Sequence, residues 1–84
     1  MTGWLRVKVF KGMFSDERVV TYPVGERKWQ ATVFVPMSYV RQEGEHDGVV
    51  EVRVTERDGV IFATLPNAER DIVVVKEAAD LRRQ

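Results

Sequence analysis

Hydrophobic and polar residues alternate in short runs along this chain, and the alternation predicts strands. From Trp4 to Lys11, Leu5, Val7 and Val9 fall on one side while Trp4, Arg6, Lys8 and Phe10 fall on the other. That is the period of a half-buried strand. Gly12 breaks the run, Ser15, Asp16 and Glu17 form a polar turn, and Arg18 to Tyr22 reads as a second strand ended by Pro23 and Gly25. These two strands are expected to pair as a hairpin. Lys28 to Val35 alternates again, with Trp29, Ala31, Val33 and Val35 facing one way and Gln30, Thr32 and Phe34 the other. Pro36 has no N–H to donate to a ladder and should stop it. Met37 to Val40 reads as a single helical turn, and RQEGEHDG, residues 41–48, as the longest loop.

The second half repeats the habit with a stronger pattern. Val49 to Glu56 places Val50, Val52 and Val54 inward and Glu51, Arg53 and Thr55 outward. Asp58-Gly59 follows and supplies the positive φ values of a tight hairpin turn, so Val60 to Leu65 should fold back on the preceding strand. After a connection over Pro66 to Arg70, Asp71 to Lys76 is a sixth strand. The segments VIFATL and DIVVV are apolar on both faces, more than a thin barrel buries alone, so either the C-terminal segment or another chain is expected to cover them. KEAADLRR, residues 76–83, favours a short helical turn, with Ala78, Ala79 and Leu81 placed to close a barrel end. The expected fold is all-β and mainly antiparallel, a small SH3-like or OB-like barrel or roll of five to six short strands, one domain over residues 1–84. No internal repeat is visible in the sequence.

Composition strengthens this picture. Sixteen valines stand against three leucines, and a branched Cβ packs better on a pleated surface than in a helix. With 84 residues, 44% hydrophobic and 31% charged, the chain can build one core beneath an ordinary solvated surface. No apolar run approaches the ~20 residues that span a bilayer, and the first residues lack the pattern of a signal peptide, so a cytoplasmic location is the expectation. The absence of cysteine excludes disulfides, cysteine-bound zinc, iron–sulfur centres and thiol catalysis. A net charge of zero hides two unlike halves. Residues 1–41 carry seven basic and three acidic residues, whereas the remainder carries six basic and ten acidic. The expectation is that these charges pair across strands.

Candidate chemistry is sparse. His46 sits among Glu43, Glu45 and Asp47, but one imidazole and this carboxylate spacing match neither a zinc site nor a calcium loop, so no metal or other cofactor is expected. The hydroxyls have no Gly-x-Ser-x-Gly elbow, the close carboxylates Asp16 with Glu17 and Glu56 with Asp58 lie in turns, and no glycine-rich phosphate loop occurs. The chain therefore reads as noncatalytic. Two surfaces remain. Trp4, Arg6, Lys8 and Phe10 interleave aromatic and cationic side chains on one strand face, the means by which a sheet stacks bases and neutralises phosphates. A pI near 6.6 weighs against that use. Tyr22, Trp29, Met37 and Tyr39 place aromatic and apolar groups near prolines and loops, the ingredients of a peptide-binding groove. The function expected is a protein-interaction or self-associating module, partner unknown, with a small nucleic-acid-binding barrel as the alternative.

Overall fold

Alternation becomes pairing in the computed structural model, which describes residues 1–24 and 29–83, with side chains for all of these except 23–24 and 29–31. In chain order the strands are β1 (Thr2–Lys11), β2 (Glu17–Val24), β3 (Trp29–Pro36), β4 (Val40–Gln42), β5 (Asp47–Arg57), β6 (Val60–Thr64), β7 (Ile72–Val75) and β8 (Leu81–Arg83). Two 3₁₀ turns, Met37–Tyr39 and Ala78–Asp80, precede β4 and β8. The strands lie in the order β3-β2-β1-β5-β6-β7, with β4 also on β5 and β8 also on β1, every pair antiparallel. The sheet curls into a half-barrel. Its concave side holds the core: Leu5, Val7 and Val9 from β1, Val20 and Tyr22 from β2, Val35 from β3, and Val50, Val52 and Val54 from β5. Ala63, Leu65 and Val73 complete it. Small branched side chains at alternate positions fill this narrow interior, as the valine-rich composition requires.

The pairing reveals a repeat. Each half of the chain runs strand, strand, strand, 3₁₀ turn, strand, and the last strand of each half pairs with the first strand of the other. Leu5 lies opposite Val50 in the central ladder, flanked by Leu81 on one side and Val40 on the other. An approximate two-fold axis passes between Leu5 and Val50. About that axis Gly3 corresponds to Gly48, Val7 to Val52, Val9 to Val54, Thr21 to Thr64, Pro23 to Pro66, Val33 to Val73, Val35 to Val75 and Arg41 to Arg82. The glycine environments agree. A Cβ on Gly3 would lie 3.0 Å from the Arg82 carbonyl oxygen and from a Val54 methyl, and one on Gly48 would lie 2.6 Å from the Arg41 oxygen and 2.9 Å from a Val9 methyl. Only glycine lets the closing strand approach β1 or β5 this closely. The expectation of no internal repeat is corrected here; unequal turns break the spacing that a sequence scan would detect.

Three local expectations also change. The loop over 41–48 shrinks to the stretch between β4 and β5, because Val40, Arg41 and Gln42 pair with Val50, Val49 and Gly48. Pro23 lies inside β2 opposite Gln30; β1 pairs with β2 only as far as Thr21, so no ladder on that side lacks the proline N–H. Residues 76–83 form a 3₁₀ turn followed by β8, and Leu81 packs against the core. The expected start of the third strand at Lys28, and Gly25, lie outside the described residues. The Asp58-Gly59 hairpin is as expected, with φ of 53° and 79°. Among the described residues no helix is long and apolar enough to cross a membrane.

Candidate functional site

The convex face over β1 and β5 gathers the first group of candidates. Alternation along β1 turns Trp4, Arg6, Lys8 and Phe10 away from the core, leaving Trp4 half-buried and the other three exposed. Two arginines join them. In the antiparallel registers Arg82 of β8 lies beside Trp4, and Arg41 of β4 lies beside Val49, which in turn faces Arg6. The Arg41 guanidinium stands 4.8 Å from the Trp4 ring centroid, a cation–π contact. Neither arginine was singled out in the sequence. Each sits in a strand of three residues, too short for a period to register.

Carboxylates pair with two of these four cations. Arg82 donates two hydrogen bonds to Glu43, of 2.9 and 3.1 Å, and Lys8 donates to Asp47 across the β1–β5 ladder. The Arg82 hydrogen bond holds the Glu43 carboxyl below its ordinary range, and the Lys8 hydrogen bond does the same for Asp47. The Arg82 guanidinium is raised in return. Arg6 adds its field to both carboxylates. His46 stacks on Phe10 with ring centroids 4.9 Å apart, and its carbonyl oxygen accepts from the Val9 N–H at 2.8 Å. It thus pins the β4–β5 connection against β1. Among the described residues no three of His, Asp and Glu converge to hold a metal ion.

The second group is scattered. Tyr22 turns into the core at 4% exposure and offers no surface; burial raises its hydroxyl pKa, with a further push from the Asp71 carboxylate. Trp29 contributes its backbone to β3, and its side chain lies outside those described. Met37 and Tyr39 stand exposed on the first 3₁₀ turn. Buried Tyr22 therefore does not share a surface groove with exposed Met37 and Tyr39.

The apolar surplus of the last strands lies on the convex side of β6 and β7. Phe62 faces Val74 and Thr64 faces Ile72 in the ladder, with Ile72 65% and Val74 45% exposed. The C-terminal segment leaves this face bare because it crosses to pair with β1. Among the described residues β7 has no strand on its outer edge. No protein family, curated protein or solved structure matches this chain.

Proposed function

We propose that the chain is a noncatalytic interaction module that associates with a second copy of itself through β7. The observation carrying this reading is a bare edge strand, Ile72-Val73-Val74-Val75, with no charge within it and two large apolar side chains on its exposed face. Such an edge is a template for another strand, and sheets that remain single usually guard it with charges, proline or a covering segment. Antiparallel pairing about a two-fold axis at Val73 sets Ile72 opposite Val74 of the second copy, both on the convex face, and extends the apolar surface through Phe62. A second copy suits this edge because the same short apolar sequence answers itself without a new register. Sedimentation over a concentration series tests it. The expected result is a dimer that Ile72→Lys with Val74→Lys converts to a folded monomer; a native chain that stays monomeric at about 1 mM, where even weak pairs form, overturns it.

The alternative reading is a nucleic-acid-binding barrel, favoured by the arrival of Arg41 and Arg82 beside Trp4, Arg6, Lys8 and Phe10. Two of its four cations, Lys8 and Arg82, are engaged by Asp47 and Glu43. Binding of a single-stranded oligonucleotide that weakens steeply with salt would select this alternative over self-association.

A further inference from the structure

A second surface, away from β7's convex face, departs from the approximate two-fold symmetry. In the second half the first two strands meet through the tight Asp58-Gly59 turn; in the first half the corresponding turn is longer and carries Met13 and Phe14. These two side chains are 86% and 67% exposed, and Phe34 on the edge strand β3 is 53% exposed. Together they line an open groove of about 580 Å³ that runs beside Thr32, Val33 and Phe34, with the loop before β7 as its far wall. Among the described residues, every titratable side chain lining it is a carboxylate: Glu17, Glu69 and Asp71. Arg70 lines the neighbouring depression instead.

The far wall is already set in place. Asn67, 2% exposed, donates from its amide nitrogen to Glu69 and Asp71, both at 3.1 Å, and its side-chain oxygen accepts from the Asp71 N–H at 3.0 Å. The Asn67 carbonyl accepts from the Arg70 N–H, and Arg70 takes a φ of 55° to close the turn. Both carboxylates are thus held before any partner arrives, which lowers the ordering cost of binding. Glu17 on the near side is fixed by the Met13 N–H, which donates to it at 3.1 Å.

We infer that this groove receives an extended segment of a partner protein in which basic and apolar residues alternate. The edge of β3 supplies backbone donors and acceptors for an added strand, among the described residues unclaimed by any other strand. Met13, Phe14 and Phe34 form an adaptable apolar seat for alternate side chains. Lysine or arginine side chains of the same segment meet a wall whose charges, among the described residues, are all negative, so a basic segment is attracted and an acidic one repelled. The site does not depend on self-association through β7, and the monomeric Ile72→Lys/Val74→Lys variant can be used to examine it alone.

The test is titration of the full chain with a labelled octapeptide alternating lysine with valine or phenylalanine, and with the same peptide carrying glutamate for lysine, followed by amide chemical shifts. The lysine peptide is expected to bind, to shift residues 13–17, 32–34 and 68–71, and to lose about tenfold in affinity with Phe14→Ala/Phe34→Ala, a substitution of exposed side chains that leaves the fold intact. Failure of the lysine peptide to bind at about 1 mM overturns the inference. So does equal binding of the glutamate peptide, unchanged affinity of the double variant, or shifts confined to the Trp4 face.

Discussion

Gly3 and Gly48 occupy equivalent places in the two halves of this molecule, each letting a three-residue closing strand pass close to a central strand, whereas the turns and exposed side chains around them differ. The first half places Phe10 where the second has Thr55, Phe34 where the second has Val74, and an exposed Met13-Phe14 turn where the second has Asp58-Gly59. The second half builds its loop before β7 around buried Asn67, a residue corresponding to Val24. Most shared positions are glycine, valine, threonine and proline, residues that set backbone path and packing, and one is an arginine pair, Arg41 and Arg82. Apart from that arginine pair, what differs is what partners would touch. A two-fold scaffold therefore separates folding from recognition, and the asymmetric places are where binding should be sought.

The largest effects test whether the halves fold together. Tyr22 and Leu65 are equivalent core residues, 4% and 0% exposed. Tyr22→Ala should cost about 3–5 kcal/mol and Leu65→Ala about 2–5 kcal/mol. Urea unfolding of each variant should keep one transition, because the strand exchange leaves neither half a complete sheet. Two transitions, only one of them displaced by each substitution, would divide the halves. A smaller effect measures how closely the two-fold is obeyed. Gly48→Ala forces its Cβ against a backbone oxygen at 2.6 Å and should cost about 2–3 kcal/mol, while Gly3→Ala, at 3.0 Å, should cost about 1 kcal/mol. Equal losses in thermal melts would show the two approaches to be alike after relaxation.

The smallest effect concerns opposite charge. Lys8 with Asp47 joins β1 to β5, and Arg82 with Glu43 joins β8 to the connection after β4. Both carboxyls are held below their ordinary values of 3.8 and 4.5 by these partners. Their stabilisation is present above those ordinary values and is lost as pH falls through the lowered values in the folded chain. The pairs are exposed, so salt should erode them. The melting temperature should fall on acidification, and Lys8→Met with Arg82→Met should flatten the acid limb of that profile. A profile unchanged by both substitutions would leave these pairs without a part in joining the halves.

Much of this architecture could be read from the amino acids, for identifiable reasons. β1, β5 and the Asp58-Gly59 hairpin carry long alternations or a turn with its own φ requirement, so local rules suffice. β4 and β8 escape those rules. Val40-Arg41-Gln42 and Leu81-Arg82-Arg83 look like loop and helix tail, and they are strands only because a central strand offers an open edge. The same long-range pairing makes the repeat visible and brings Arg41 and Arg82 to the Trp4 face. The convex row Trp4, Arg6, Lys8 and Phe10 was legible from period alone, but the pairing of Lys8 with Asp47 and of the neighbouring Arg82 with Glu43 was not, since those partners lie far away in sequence. Tyr22, chosen for its place beside a proline, points inward because it keeps the parity of Val20.

The ladder of Gly3 with Arg83 also sets a clock. Its two strands lie far apart in sequence, so this contact waits for the residues between them to be made and is among the slowest to find by diffusion. At about 5–20 residues per second, the Gly3-to-Leu5 edge waits on the order of 4–16 s on a ribosome before its neighbour exists. Through that interval Leu5 and its flanking backbone have only β5 to claim them, and only late. The seam that completes the two-fold is therefore also a segment open to wrong pairing during birth of the chain.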